Sequence, residues 1–210
     1  MRLGSSKSIW SQMPKRLLFV CIFNIQRSVA AEYIFRNMLA KKKPDEAKRI
    51  EVMSAGFIGQ ELNQWFQEKS IPLPDPLFDR PSTERVKAIL LERGIDISRH
   101  RSRPADRAAL QKSDIIIPFL PILKRDILTT YPEGAERIFL PKELLKEEIE
   151  FCWGETSAVP LNGRFFDFVH EESSYVRSVI NEVDDFIQRA FPEIVTRLLG
   201  VSEAGGKAIV

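Results

Sequence analysis

Residues 17–28 read LLFVCIFNIQRS, and they join an apolar run to the start of a helical pattern. The run over residues 17–20 predicts a buried β-strand, and the spacing of apolar residues after Ser28 predicts a helix. Cys21 and Arg27 lie in the short segment between them. A strand that turns directly into a helix gathers backbone N–H groups around one point, and the helix N-terminus adds partial positive charge. The stretch therefore predicts a loop that binds a tetrahedral anion such as phosphate.

The side chains of this loop suggest chemistry as well as binding. A guanidinium can hold two oxygens of a phosphoryl group at once, which is the role expected of Arg27. The same positive groups would stabilise a thiolate at Cys21, and a thiolate can attack phosphorus. Ser28 can cap the following helix and donate its hydroxyl to the thiolate. The alternative is that Cys21 is a small buried apolar residue at the end of a core strand.

Length and composition predict a globular protein with one core. The chain has 210 residues, of which 44% are hydrophobic and 29% are charged. Its formal net charge of +2 gives no indication of a nucleic-acid or membrane partner, and no run approaches the ~20 apolar residues of a membrane span. The two cysteines, Cys21 and Cys152, are too few for a disulfide framework. A reducing compartment, and hence a cytoplasmic location, is expected.

The ends of the chain differ from its middle. Residues 1–15 lack the apolar segment of a signal peptide, and they are interpreted as an N-terminal extension. Residues 16–200 are expected to form a single domain. Two adjacent glycines at 205–206 favour a flexible tail over residues 201–210.

Short apolar runs alternate with amphipathic stretches, which favours an α/β fold with a doubly wound parallel sheet. Four strands are predicted, at residues 17–22, 50–53, 115–117 and 137–140. Helices are predicted at 28–40, 83–93 and 122–130, followed by a C-terminal helix. Ligands of such sheets bind at the carboxyl ends of the strands, which is where Cys21 falls.

Residues 57–81 are predicted to form a long loop on the side where the phosphate loop opens. Four prolines in its second half exclude regular helix there. Trp65 or Phe66 could stack on an aromatic ring of a substrate, or could pack the loop onto its own domain.

The stretch at residues 17–35, LLFVCIFNIQRSVAAEYIF, resembles the signature of the low-molecular-weight protein tyrosine phosphatases, a family that includes arsenate reductases and arginine phosphatases. Further motifs follow in the family's order, at residues 52–56, 94–96, 100–103 and 113–117. The resemblance implies a four-stranded parallel sheet of flavodoxin-like order with helices on both faces. It also implies hydrolysis of phosphotyrosine in protein through a phosphocysteine intermediate, without a cofactor or metal.

The resemblance also assigns site residues. Cys21 and Arg27 would be catalytic. The other residues of the loop would bind the substrate phosphate: Ile22, Phe23, Asn24, Ile25, Gln26 and Ser28. His100 is expected to support the loop or to lie on the surface, and not to act as a base.

Phosphoryl transfer also needs an acid for the leaving oxygen and a base for the attacking water, and one carboxyl group can serve as both in turn. The family places this acid in an Asp-Pro pair before the last helix. Counting back from that helix gives Asp167, with Phe168 in place of the proline. An alignment anchored on residues 159–160 would instead put Leu161 there, and the acid would then come from elsewhere.

Three loop positions depart from the family pattern or bear on the substrate. Phe23 replaces a small residue, which predicts a narrowed loop mouth, and backbone strain if the position has positive φ. Gln26 replaces a second loop cysteine, so Cys21 has no neighbouring thiol for a protective disulfide. Ile25 favours phosphotyrosine, because the arginine phosphatases tend to have threonine there.

Three functions are therefore considered. The first is a phosphatase acting on a phosphoprotein or on a small phosphomonoester. The second is an arsenate reductase that uses an external thiol, since arsenate mimics phosphate. The third is a catalytically weak phosphate- or phosphoprotein-binding module. The oligomeric state stays open.

Overall fold

The computed structural model describes residues 13–146 and 173–200. Its secondary structure follows the chain in this order: β1 Lys15–Cys21, α1 Arg27–Lys42, α2 Pro44–Ala47, β2 Ile50–Gly56, α3 Gln60–Glu68, α4 Glu84–Leu91, α5 Arg107–Lys112, β3 Ile115–Pro118, α6 Pro121–Thr130, a 3-10 helix Pro132–Arg137, α7 Pro141–Leu145 and α8 Ser173–Leu199. None of the helices in the described ranges is both long and apolar enough to cross a membrane.

The sheet is parallel, with β1 in the centre between β2 and β3. Cys21 pairs with Gly56 at the end of β2, and Leu17 pairs with Ile115 at the start of β3. A central strand of a parallel sheet is covered on both faces, which explains the continuous apolar run over residues 17–20. The predicted α/β fold with a parallel sheet is confirmed, and Cys21 lies at the carboxyl edge of the sheet.

The predicted fourth strand is reduced to one bridge in the described residues. Ile138 makes a parallel bridge to Ile116, and the Phe139 N–H donates to the Ile116 carbonyl at 2.9 Å. The 3-10 helix ends at Arg137 and α7 begins at Pro141, so only three residues lie between two helical segments. The three-stranded sheet is therefore extended beside β3 by one bridging residue, in the place where the predicted order puts the fourth strand.

The long C-terminal helix α8 packs against the core. Its buried residues recur at helical spacing, at Val176, Val179, Ile180, Val183, Phe186, Ile187, Ala190, Ile194 and Leu198. The ring of Phe191 lies 5.0 Å from that of Phe35 in α1, measured between centroids. This packing fixes α1, and α1 follows directly from the loop that begins at Cys21.

Residues 57–81 were predicted to lack regular structure, and for residues 60–68 that prediction is wrong, because they form α3. The helix has no side-chain cap of its own, since Gly59 occupies the N-cap position. Instead the buried carboxylate of Asp126, in α6, accepts hydrogen bonds from the Glu61 and Leu62 N–H groups at 2.8 and 3.0 Å. A Cβ at position 59 would lie 2.4 Å from the Asp126 side chain, so glycine is needed for this close approach.

We expect Asp126→Ala to lower the free energy of unfolding by about 2 to 4 kcal/mol, because it leaves two backbone N–H groups of α3 without an acceptor. Urea unfolding followed by circular dichroism measures this. Asp45→Ala is the control, since the Asp45 side chain is 90% exposed, and we expect a change within about 0.5 kcal/mol. Equal effects of the two substitutions would contradict the capping role.

Candidate active site

Cys21 lies at the base of the loop between β1 and α1. The residue is 5% exposed. The Asn24 backbone N–H donates to Sγ at an N–S distance of 3.3 Å, and the Ser28 Oγ lies 3.0 Å from Sγ. A thiolate at this position would accept hydrogen bonds from the Asn24 N–H and the Ser28 hydroxyl, and it would also face the positive end of α1. The structure thus brings Cys21, Asn24 and Ser28 together.

Asn24 holds the loop in shape through four hydrogen bonds of its own amide side chain and carbonyl. Its Nδ2 donates to Ser28 Oγ at 3.0 Å and to Ser54 Oγ at 2.8 Å. Its Oδ1 accepts from the Arg103 N–H at 3.1 Å, and its carbonyl lies 2.9 Å from His100 Nε2. The backbone at Asn24 has φ of 56°, in the left-handed region that asparagine tolerates better than most residues.

Phe23 does not carry the positive φ that was considered for it, because that conformation falls on the next residue. Phe23 is 6% exposed, and the centroid of its ring lies 6.2 Å from that of Phe66 in α3. Phe66 in turn packs edge-on against the half-buried Trp65 at 5.3 Å. Of the two alternatives for Phe66, packing within the domain is the one observed. The large residue at position 23 therefore joins the core beneath α3.

A buried carboxylate continues the network behind the loop. Glu32 is 1% exposed, and it accepts a short hydrogen bond from the Ser54 hydroxyl. Its oxygens lie 2.8 Å from Arg36 Nη1 and 3.3 Å from Arg103 Nη2. Arg103 Nε also donates to the Ser54 carbonyl at 2.8 Å. The loop is thereby tied to α1, to β2 and to the segment before α5.

His100 is 4% exposed and contacts the loop at the Asn24 carbonyl. A backbone carbonyl can only accept, so Nε2 carries the proton donated to Asn24. Burial lowers the pKa of His100, and the hydrogen bond to Asn24 and the charge of Glu32 oppose this shift without cancelling it. The Tyr33 ring lies edge-on to the imidazole, and burial raises the pKa of its hydroxyl. Of the two positions expected for His100, the observed one is behind the loop and not on the surface.

The remaining predicted residues fall into three groups. Ile22 and Ile25 are buried in the loop, and Gln26 and Arg27 are half-buried at the start of α1. Asp167 and Cys152 lie outside the described residues.

Sequence reasoning assigned no role to Ser54, Glu32 or Arg103, although two of them lie within the motifs at 52–56 and 100–103. Within 13–146 and 173–200, no group of three or more histidine, cysteine or acidic side chains is placed to hold a metal ion.

Comparisons with known proteins agree with the sequence motifs. Residues 16–73 match the family model described as low molecular weight phosphotyrosine protein phosphatase. A curated relative is 27% identical over 138 residues, which are 66% of this chain and 78% of the relative. It is the probable low molecular weight protein-tyrosine-phosphatase EpsP of Ralstonia solanacearum. The resemblance to this phosphatase family is confirmed.

Solved structures share the fold. The low molecular weight protein tyrosine phosphatase of T. tengcongensis is 24% identical, with a TM-score of 0.61 over 85% of this chain and 99% of that chain. The YwlE arginine phosphatase of Geobacillus stearothermophilus is 21% identical, with a TM-score of 0.62 over 90% of this chain and 99% of that chain. At these identities the similarity is one of fold, and proteins with different named substrates share it.

We expect the free energy of unfolding to fall as the pH drops from about 7.5 to 5.5, in part through His100. The folded pKa of His100 lies below its unfolded value of about 6.5, so the unfolded state binds the proton more readily. This contribution is present above pH ~6.5 and is lost as the pH falls toward the folded pKa.

Urea unfolding at several pH values, for wild type and His100→Gln, measures the effect. The slope should be smaller in the variant. The control repeats the comparison in a His170→Gln background, which removes the other histidine of the chain, and the reduction caused by His100→Gln should persist there. An unchanged slope in His100→Gln would contradict the assignment.

Proposed function

We propose that this chain, which is similar to the low molecular weight phosphotyrosine protein phosphatases, hydrolyses phosphotyrosine in protein through a phosphocysteine intermediate. One observation carries the proposal. The Cys21 Sγ lies within 3.0 Å of the Ser28 hydroxyl and 3.3 Å of the Asn24 N–H, at the N-terminus of α1. A purely structural cysteine at the end of a core strand has no need of two polar contacts on its sulfur.

In the first step the Cys21 thiolate attacks phosphorus. The S–P bond forms while the bond from phosphorus to the tyrosine oxygen breaks. Arg27 and the backbone N–H groups of residues 22–28 would hold the three equatorial oxygens, whose charge is spread in the transition state. In the second step water attacks the phosphocysteine, and the sulfur leaves as a thiolate. Ser28 can stabilise the departing sulfur by donating its hydroxyl.

Asp167 is our candidate for the proton transfers. As a carboxylic acid it would protonate the leaving tyrosine oxygen, and as a carboxylate it would then take a proton from the attacking water. Glu32 is a poor alternative among the described residues, because Ser54, Arg36 and Arg103 already occupy its oxygens and it lies behind the loop. The order of the sequence, with Asp167 shortly before α8, supports the assignment.

Ile25 supports tyrosine as the phosphorylated residue. Its apolar side chain lies in the loop two positions before Arg27, and it can contact an aryl ring but cannot accept a hydrogen bond from a guanidinium. A threonine at this position could accept one. The arginine phosphatases with the same fold therefore do not by themselves favour phosphoarginine as the substrate of this chain.

We expect Cys21→Ser to abolish hydrolysis of p-nitrophenyl phosphate and of a phosphotyrosine peptide, by at least about a thousandfold in kcat/KM, because it removes the nucleophile. Phosphate release without added metal measures this. Cys152→Ser is the matched control and should retain activity. Faster phosphate release from a phosphoarginine peptide than from the phosphotyrosine peptide would identify phosphoarginine as the substrate. Arsenate turnover with an external thiol, without phosphatase activity, would favour the reductase.

We expect Asp167→Asn to lower kcat/KM by about 100- to 10,000-fold on phenyl phosphate, because the phenolate then leaves without a proton. The loss should be smaller on p-nitrophenyl phosphate, whose leaving group is a weaker base. Asp45→Asn, at an exposed site, should change neither. Equal losses of Asp167→Asn on both substrates, or none, would place the acid elsewhere.

A further inference from the structure

A second pocket opens beside the phosphate loop. Its volume is about 370 Å³, and it lies between Ile25 and residues 80–85, the segment that leads into α4. Ile25 belongs to the phosphate loop, so its side chain forms a wall shared by the loop and the pocket. Whatever occupies the pocket lies next to the group that enters the loop.

Two polar groups of this pocket are buried without a hydrogen-bond partner. Ser82 is 2% exposed, and its Oγ has no partner within residues 13–146 and 173–200. The Nη1 atom of Arg85 is also buried and lacks an acceptor in the same ranges. Burying a hydroxyl or a guanidinium N–H without a partner costs free energy, and most such groups in proteins are satisfied. Both atoms are donors, and the two residues that carry them line one cavity.

The pocket also carries unbalanced positive charge. Across the described part of the chain, neither Arg80 nor Arg85 forms an ion pair with a carboxylate. The one acidic residue of the lining, Glu84, is bonded to Lys87 at 2.7 Å. By contrast, Arg101 is bonded to Asp79. A cavity with two guanidinium groups and a free hydroxyl favours an anionic group with several oxygens.

We propose that this pocket binds the carboxylate of an acidic residue close in sequence to the phosphorylated residue of the substrate. Arg85 and Ser82 donate hydrogen bonds to its oxygens, and Arg80 adds charge at the half-buried rim. Ile25 belongs to the phosphate loop and also lines the pocket. Because an extended peptide advances about 3.3 Å per residue, the acidic residue is expected within a few positions of the phosphorylated one. The inference rests on the proposed function, because it takes a phosphoprotein as the substrate.

Binding to the full-length Cys21→Ser protein tests the pocket without turnover. The probes are phosphotyrosine peptides with a single glutamate, moved one position at a time from three residues before the phosphotyrosine to three after it. Each has a matched peptide with glutamine in its place. At low salt we expect roughly tenfold tighter binding for glutamate at one or two adjacent positions, and a smaller difference at high salt.

Added to Cys21→Ser, Arg85→Gln and Ser82→Ala should each reduce the ratio of the two affinities. Arg49→Gln is the matched control and should keep it, because Arg49 precedes β2, at the opposite edge of the sheet. The ratio of the affinities for the glutamate and glutamine peptides is insensitive to partial misfolding, because misfolding weakens the binding of both peptides equally. A ratio near one in Cys21→Ser itself, or a ratio that survives both pocket substitutions, would overturn the inference.

The outcomes for the pocket and for the phosphatase proposal are separate. If the glutamate and glutamine peptides bind equally well but the wild type hydrolyses phosphotyrosine, the proposed carboxylate site is wrong and the proposed phosphatase activity stands. A clear glutamate preference without any hydrolysis would support the pocket and leave a phosphoprotein-binding module in place of the enzyme.

Discussion

The left-handed backbone at Asn24 is the constraint on which the candidate site depends. It turns the chain so that the Asn24 N–H points at the Cys21 sulfur, while the side chain reaches Ser28 and Ser54. An L-residue adopts this conformation at a cost, and the surrounding contacts must repay it. Asparagine meets both needs, because it tolerates positive φ and its amide can donate and accept at once.

The contacts that hold Asn24 come from distant parts of the chain. His100 binds its carbonyl and the Arg103 N–H binds its side chain. Arg103 also binds Glu32, a carboxylate that would be costly to bury without its two arginine partners. A network of this kind fixes one arrangement of the loop before any ligand arrives. Preorganised donors of this sort are what stabilise a phosphoryl group in transit.

The surroundings of the loop give it a particular shape. Phe23 is accommodated because α3 lies over it and contributes Phe66 to the same core. The helix α3 in turn exists where it does because Asp126 caps it from α6. The segment at 80–85 lines a cavity beside Ile25, and two of its residues carry buried donors without a partner in the described part of the chain. Packing thus fills the space at Phe23, whereas a cavity lies beside Ile25.

The sequence alone determined the elements that depend on neighbouring residues. The apolar run before Cys21 gave the central strand, and the residues from Cys21 to Ser28 predicted the anion loop, because strand, turn and helix signals are local. Tertiary structure decided the rest. The capping of α3 by Asp126 joins residues 64 and 65 positions apart, and the bond from Arg103 to Asn24 spans 79. No local pattern encodes such pairs, since their geometry arises only when the sheet brings strand ends and helix termini together.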